Sequence, residues 1–236
     1  MDFILEGLAQ GIKLIFSMDE ETANIVTTTL RLTALSMFGI LSLGLPLGFL
    51  IGYHDFPGKS FLRYLVDILL SLPTVVIGLL VYAFICRNGP FGRYELLFTI
   101  RGMAIGQLIL GLPIVIAYTA TVVEELDSRL KMTLKTVGAS GFQLAITSLW
   151  ESRFQILVAA LTSYGRIIGE VGSAMMLGGN IKWYTRTITT AISLETGKGD
   201  FALGIALGVI LIAISIVLNF TLSLIRRRTE KLQFLN

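Results

Sequence analysis

Long apolar runs without a charged residue dominate this sequence and limit what it can fold into. Such runs lie at Leu32–Tyr53, Ile68–Cys86, Gly102–Val123 and Phe201–Ile225, and a fifth, Phe154–Ile181, contains Arg166 and Glu170. An α-helix needs about 20 mainly apolar residues to cross a bilayer. With 54% hydrophobic and 15% charged residues and a mean hydropathy of +0.77, the chain is too apolar for a water-soluble domain. We therefore predict an all-α integral membrane protein.

The predicted architecture is one transmembrane domain that covers residues 1–236. Its five spans are expected at residues 25–53, 62–86, 102–123, 154–181 and 201–225. Residues 1–24 are expected to form an extracytoplasmic helix at the membrane interface, because the apolar stripe that includes Phe3, Leu8 and Ile12 is too short to span. Asp2 and Glu6 stand where a secretory signal has basic residues, so we predict no cleaved signal.

The distribution of basic residues predicts the orientation of the chain. Loops on the cytoplasmic side of a membrane are enriched in Lys and Arg. With five spans, the C-terminal residues 226–228 and Lys231 fall on the same side as Lys59 and Arg63, whereas Glu20 and Glu21 fall on the other. We therefore expect the C-terminus and residues 124–153 to be cytoplasmic.

Residues 124–153 form a long polar interruption that keeps helical periodicity. The apolar residues from Leu126 to Val137 recur every three to four positions, which predicts an amphipathic helix, and Gly138 fits the left-handed residue that follows a helix. Ser140 to Gln143 has the pattern of a capping box, so a second helix should start there. Its apolar face would carry Phe142, Ile146, Leu149 and Trp150. A face this large in a water-exposed loop should be covered by another subunit.

Small residues and prolines within the spans predict how the helices pack. The four-residue repeat of Gly44, Gly48 and Gly52 should let helices approach closely in lipid. Pro73, in the segment Ser71 to Thr74, and Pro113 are expected to break the second and third spans. Arg166 and Glu170 are four residues apart, on one face of one predicted helix. They would form either a structural salt bridge or part of a transport pathway.

Several functions are disfavoured by what the chain lacks. A single Cys86 and a single His54 cannot build a disulfide or a His/Cys metal cluster from one chain. The tripeptide Gly58 to Ser60 resembles part of a nucleotide-binding loop, but Tyr53 stands where that loop requires glycine. We therefore expect no catalytic residues, no metal site, no cofactor bound by this chain and no nucleic-acid partner.

Four segments carry a resemblance to a known family. The turn Thr136 to Ser140, placed between the third and fourth of five spans, resembles the EAA loop of ABC importer permeases. The segments Ser71 to Gly78, Gly169 to Ile181 and Thr189 to Ala202 are similar to the tungstate branch of the molybdate, tungstate and sulfate permeases. Met132, Thr133 and Leu134 replace the Glu-Ala-Ala of that loop, so the role of its glutamate does not transfer.

The resemblance implies a type I ABC importer fold and a set of partners. Two copies of the chain would form the pathway for an oxyanion across a prokaryotic cell membrane. Two ATP-binding cassette subunits, which hold ATP and Mg²⁺, would dock on the loop, and an extracytoplasmic anion-binding protein would deliver the substrate. The residues expected to couple to the ATPase are Gly138, Ala139, Ser140, Gly141, Phe142 and Ile146.

Residues in the spans and in the segment between the last two spans are the candidates for the translocation pathway. They are Pro73, Thr74, Arg166, Glu170, Ser173, Asn180, Thr189 and Thr190, together with the hydroxyl of Thr187. Hydroxyls and amides suit a dianion that must be released again. The expected substrate is tungstate or molybdate, and a permease for sulfate or another small anion is the alternative. A membrane enzyme is disfavoured, and so is an ion-coupled secondary transporter, because no internal repeat is evident.

Overall fold

The computed structural model describes residues 5–9, 12–13, 20–125, 136 and 138–233. Its helices are α1 (Glu20–Tyr53), α2 (Lys59–Ser71), α3 (Thr74–Ile85), α4 (Ile100–Glu125), α5 (Gly141–Glu151), α6 (Arg153–Ile168), α7 (Gly172–Gly178), α8 (Ile188–Lys198) and α9 (Phe201–Gln233), with a 3₁₀ turn at Gly92–Tyr94. The amphipathic helix predicted from Leu126 lies outside the described residues. Residues 5–9 are helical and contact α9, where a Cβ on Gly7 would lie 2.9 Å from Cβ of Ile205.

Helices α1 and α4 form the centre of the bundle and run in the same direction. Gly44 faces Val115 and Gly52 faces Val123, so residue numbers rise together along the two helices. A Cβ on Gly44 would lie 2.8 Å from Cγ1 of Val115, and one on Gly52 would lie 2.9 Å from Cβ of Val123. Ordinary carbon contacts are about 3.5–4.0 Å. The close helix approach predicted at the Gly44, Gly48 and Gly52 repeat is confirmed.

Helix α6 packs against α4 in the opposite direction and completes the core. Ile40 of α1, Val115 of α4 and Ile167 of α6 are buried in one cluster. The hydroxyl of Ser163 on α6 donates to the carbonyl of Gly111 on α4 over 3.1 Å. Helices α1, α4 and α6 therefore form the centre of the bundle, and the remaining elements pack around them.

The second predicted span, residues 62–86, is broken at Pro73. Helix α2 ends at Ser71, and α3 starts at Thr74 with its axis turned by 102°. Leu72 and Pro73 are extended, with ψ of 135° and 131°. Proline lacks an N–H and disfavours helical geometry at the residue before it, which accounts for the break. The predicted interruption at Pro73 is confirmed.

The break predicted at Pro113 is wrong, because α4 continues through this residue from Ile100 to Glu125. A proline inside a membrane helix is tolerated when neighbouring groups engage the backbone around it. Here Pro113 is buried, and Ser163 of α6 reaches the Gly111 carbonyl in the same helical turn. The carbonyl that Pro113 leaves without a donor is that of Ile109, so the feature observed beside the regular helix is its burial between α1 and α6.

The fourth predicted span, residues 154–181, is also divided. Helix α6 ends at Ile168 and the short helix α7 starts at Gly172, so residues 169–171 form a break that we call the α6–α7 break. Helices α1 and α4 are each long and apolar enough to cross a membrane. Counting the bent pairs α2–α3 and α5–α6 as one span each raises that number to four among the described residues. Helix α9 adds an apolar stretch over Phe201–Val217, and the count of five spans stays a prediction.

Candidate functional site

Buried threonines gather at the start of α8. Thr187 and Thr190 form a capping box: the Thr187 hydroxyl accepts from the Thr190 N–H, and the Thr190 hydroxyl accepts from the Thr187 N–H over 2.9 Å. The Thr189 hydroxyl lies 3.2 Å from that of Thr187. All three side chains are buried. Two of these hydroxyls therefore satisfy backbone groups that a helix start leaves without partners.

Glu170 links this threonine cluster to the α6–α7 break. Its carboxylate accepts from the Ser173 N–H over 2.9 Å, and its carbonyl accepts from the Thr189 hydroxyl over 3.0 Å. Its own N–H donates to the carbonyl of Ile167 over 3.3 Å. Glu170 is 7% exposed and Ser173 is 1% exposed. One acidic residue thus joins the end of α6, the start of α7 and the first turn of α8.

The salt bridge considered for Arg166 and Glu170 is wrong. Because α6 ends at Ile168, the two residues do not share one helix, and Arg166 is exposed while Glu170 is buried. Within the described part of the chain no ion pair joins them, and the Glu170 carboxylate accepts from the Ser173 N–H instead. The four-residue spacing indicated a shared face only for an unbroken helix.

Asn180 lies in the loop between α7 and α8, on the far side of the same cluster. It has a left-handed backbone with φ of 50°, and its side-chain Nδ2 donates to the carbonyl of Thr190 over 3.3 Å. Its Oδ1 is buried and, among the residues that the structure describes, has no hydrogen-bond partner. Asparagine tolerates this backbone better than most residues do. The unpaired oxygen leaves one polar atom of the cluster free.

Helix α3 starts beside the cluster as well. A Cβ on Gly172 would lie 3.1 Å from Cγ2 of Val75 and 3.4 Å from Oε1 of Glu170. Pro73, which is exposed, and Thr74, which is half-buried, directly precede Val75. The predicted pathway residues Glu170, Ser173, Asn180, Thr189 and Thr190 are therefore brought together, with Pro73 and Thr74 at the edge. Arg166 is not part of this group, and a role of these residues in transport stays a prediction.

Gln107 of α4 supports the α6–α7 break from the opposite side. Its Nε2 donates to the carbonyl of Ile167 over 3.1 Å, and its Oε1 accepts from the Ser36 hydroxyl of α1 over 2.7 Å. Gln107 is 4% exposed and Ser36 is 1% exposed. Where a helix stops inside a membrane, its last carbonyls need partners from the protein. One glutamine side chain thus connects α1, α4 and the end of α6.

The second site is the exposed face of α5, which we call the α5 face. Phe142 is 75% exposed, Trp150 68% and Ile146 52%. Leu149 differs from the prediction, since it is half-buried against the cluster of Phe49, Val123 and Leu144. The apolar face is therefore confirmed for three of its four predicted residues.

The start of α5 has the predicted local geometry. Ser140 and Gln143 form a capping box, in which the Gln143 side chain accepts from the Ser140 N–H over 2.8 Å and the Ser140 hydroxyl accepts from the Gln143 N–H over 3.3 Å. Gly138 has a left-handed backbone with φ of 77°. Ala139 is half-buried and Gly141 is exposed. A sharp turn thus presents α5 with its aromatic residues outward.

Comparison with known proteins fits this arrangement of bent spans and an exposed α5 face. Residues 44–231 match the model of the family described as the inner membrane component of binding-protein-dependent transport systems. The chain belongs to this family. The permease also shares its fold with the methionine ABC transporter MetNI, which was solved in inward-facing conformations. That match has a TM-score of 0.71 and 19% sequence identity, and it covers 90% of this chain and 97% of the MetNI chain. The predicted all-helical importer fold is confirmed.

Two relatives of the permease are tungstate uptake system permease proteins named TupB. The protein from Campylobacter jejuni is 44% identical over 227 residues, which are 96% of this chain and 95% of the relative. The protein from Peptoclostridium acidaminophilum is 32% identical over 219 residues, 93% of this chain and 96% of the relative. The similarity therefore extends over almost the full length of both relatives.

Ion pairs fasten the two ends of the permease, and sequence patterns did not predict them. At one end, Glu21 of α1 lies 2.7 Å from Lys182 and 3.2 Å from Arg186 in the α7–α8 loop. At the other end, Glu124 of α4 lies 2.9 Å from Lys59 and 2.8 Å from Arg63 of α2. The partners are more than 60 residues apart in each case, so spacing gives no signal for them.

Proposed function

We propose that two copies of this permease form a transmembrane pathway for tungstate or the related oxyanion molybdate. The observation that carries the proposal is the 44% identity to a tungstate permease over 96% of the chain. The polar cluster around Glu170, Ser173, Asn180 and Thr189 has its donors engaged within the chain, so contact with an oxyanion there would require these hydrogen bonds to open during transport. An extracytoplasmic anion-binding protein would deliver the anion to this pathway.

Energy would come from a separate ATP-binding subunit that docks on the α5 face. Exposed Phe142 and Trp150 offer the aromatic anchors that protein interfaces favour, and exposed Ile146 extends the apolar face between them. ATP and Mg²⁺ would be held by that subunit, and this chain would contribute no cofactor. Closure of the two ATPase subunits would move α5 and, through the contacts of α5 with α6, shift the spans between outward and inward access.

The substrate is tested by uptake into cells at low tungstate concentration. Cells that lack the permease should lose high-affinity tungstate uptake and regain it with the wild-type gene, measured as cell-associated tungsten by mass spectrometry. Competition separates the alternatives: excess molybdate should compete, whereas excess sulfate should not. Equal competition by sulfate would replace the tungstate assignment by a sulfate permease. Uptake that continues in proteoliposomes without ATP would indicate an ion-coupled transporter.

The orientation is tested by labelling single cysteines in a Cys86→Ser background. We propose that the C-terminus and α5 are cytoplasmic, as the basic residues indicate. A cysteine at Glu151, which is exposed at the end of α5, should then react with an impermeant thiol reagent only in opened cells. A cysteine at exposed Lys182 should react in intact cells. The opposite labelling pattern would place the C-terminus and α5 outside the cytoplasm, where the α5 face could not bind the ATPase.

Replacing Gly138 by valine should uncouple ATP hydrolysis from uptake. A side chain at φ of 77° is strained by about 1–2 kcal/mol, and β-branched residues are worst there. That energy lowers the population of the native turn by a factor of about 5–30 and re-aims α5. The matched control is Gly197→Val on α8, because Gly197 lies outside the residues expected to couple to the ATPase, has no left-handed backbone and, like Gly138, has no atom within 4 Å of an added Cβ. If both variants show the same ratio of uptake to ATP hydrolysis, the turn at Gly138 does not couple hydrolysis to transport.

A further inference from the structure

An apolar groove lies between α3 and α4, away from the threonine cluster. Its volume is about 470 Å³, within the roughly 300–1,000 Å³ range of small-molecule sites. Carbon atoms form its entire accessible wall, contributed by the end of α2, one side of α3, residues 91–96 and one side of α4. Leu80 and Phe84 line it from α3, and Ile105 and Ile109 line it from α4. The part of a ligand that fills this groove should be apolar.

One end of the groove is closed by aromatic rings. The ring centroids of Phe84 and Phe91 are 6.3 Å apart, and those of Phe91 and Tyr94 are 6.4 Å apart. The Phe91 N–H donates to the Phe84 carbonyl over 2.9 Å and fixes the loop against α3. Tyrosine is enriched where a membrane meets water, because its ring is apolar and its hydroxyl is polar. The aromatic end of the groove therefore resembles protein surfaces that lie at the level of the lipid headgroups.

A guanidinium stands at this aromatic end. The Arg93 Cζ lies 4.7 Å from the centroid of the Tyr94 ring, and its Nη2 donates to the Tyr94 hydroxyl over 2.7 Å. Arg93 is exposed, so its remaining donors face outward. The surrounding segment, residues 87–101, contains Arg87, Arg93 and Arg101 but a single acidic residue, Glu95. The segment that borders the groove therefore carries more positive than negative charge.

We propose that this groove binds one acyl chain of an anionic phospholipid, whose phosphate is held by Arg93. The carbon-only wall suits the acyl chain, and the planar guanidinium can bind a phosphate through two parallel hydrogen bonds. Tyr94 holds the guanidinium in position, which reduces the entropy lost on binding. An apolar helix from a second copy would fill the groove but leave the Arg93 guanidinium without a counter-anion. Charge complementarity therefore favours the lipid.

The groove also borders the bend between α2 and α3. Leu69 and Leu72 flank the turn into α3 and line the groove together with Ile77. An acyl chain seated here would brace the 102° bend between α2 and α3. The bound lipid is thus expected to stabilise the bent form of this span.

The test is native mass spectrometry of the purified transporter complex, exchanged into equal amounts of phosphatidylglycerol and phosphatidylcholine with identical acyl chains. The wild type should retain phosphatidylglycerol preferentially. Arg93→Gln should lower phosphatidylglycerol retention about tenfold, since one charge-assisted hydrogen-bond pair is lost, and leave phosphatidylcholine unchanged. Ile109→Phe, which narrows the groove, should lower retention of both lipids. Lys198→Gln is the control away from the groove; it removes a cation that pairs with Glu195 of the same helix and should retain both lipids as wild type does.

Two results would overturn the proposal. Arg93→Gln and Ile109→Phe could retain both lipids as the Lys198→Gln control does, in which case the groove holds no specific lipid. Ile109→Phe could instead separate the two permease copies and leave lipid retention unchanged, which would make the groove a subunit interface. Because Arg93 is exposed, its substitution tests the headgroup contact without disturbing the core.

Discussion

Replacing Phe142 by alanine is expected to weaken binding of the ATPase subunit by about 2 kcal/mol or more, because buried aromatic anchors carry much of the energy of such interfaces. Phe142 is 75% exposed in the isolated permease and lies in the first turn of α5. Since the side chain makes little contact within the chain, its removal should leave the permease fold intact. The measurement is the amount of ATPase that co-purifies with the variant, followed by binding titration of the two subunits in detergent.

Phe38→Ala is the matched control for this substitution. Phe38 lies on α1 and is 74% exposed, so the same atoms are removed at equal exposure far from the α5 face. The control should bind the ATPase as wild type does, and Trp150→Ala should share the defect of Phe142→Ala. If Phe142→Ala and Phe38→Ala bind equally well, the α5 face does not dock the ATPase. The uptake assay would still test the substrate independently.

Features that depend on local sequence were predicted well. The capping box at Ser140 and the left-handed Gly138 follow from the chemistry of a few adjacent residues. The glycine repeat of α1 is equally local, because small residues at a spacing of four leave one helix face open whatever packs there. Pro73 also acted as expected, since its own ring and the residue before it set the bend.

Features that depend on a distant partner were missed or wrong. The helix continues through Pro113, which is buried between α1 and α6, and the residues next to Pro113 in the sequence do not indicate that packing. The predicted pairing of Arg166 with Glu170 is wrong because the helix ends at Ile168, where Gln107 of another helix donates to the Ile167 carbonyl. The hydroxyls assigned to substrate contact are partly used to cap α8, which sequence alone does not distinguish from a ligand site.

Replacing Gln107 by leucine is expected to destabilise the break between α6 and α7. The substitution keeps roughly the same volume but removes the donor to the Ile167 carbonyl, and the Ser36 hydroxyl can turn to the Leu32 carbonyl, 2.8 Å away. The Ile167 carbonyl keeps the Glu170 N–H as a partner at 3.3 Å, so the cost is that of one lost hydrogen bond, about 0.5–1.5 kcal/mol. The measurements are thermal unfolding of the purified transporter and hydrogen exchange at residues 167–173, which should become faster.

Loss of the Gln107 hydrogen bond is also expected to affect the candidate pathway residues. Glu170 donates its N–H to the same Ile167 carbonyl and binds Ser173 and Thr189, so a looser end of α6 displaces the group that joins α7 to α8. Uptake should therefore fall together with protection of residues 167–173, whereas the exposed Gln155→Leu control on α6 should change neither. A double variant with Ser36→Ala should cost less than the sum of the two single variants, because both remove the same hydrogen bond. Full additivity would mean that Ser36 and Gln107 act separately, and unchanged exchange in Gln107→Leu would show that the break is held by Glu170 alone.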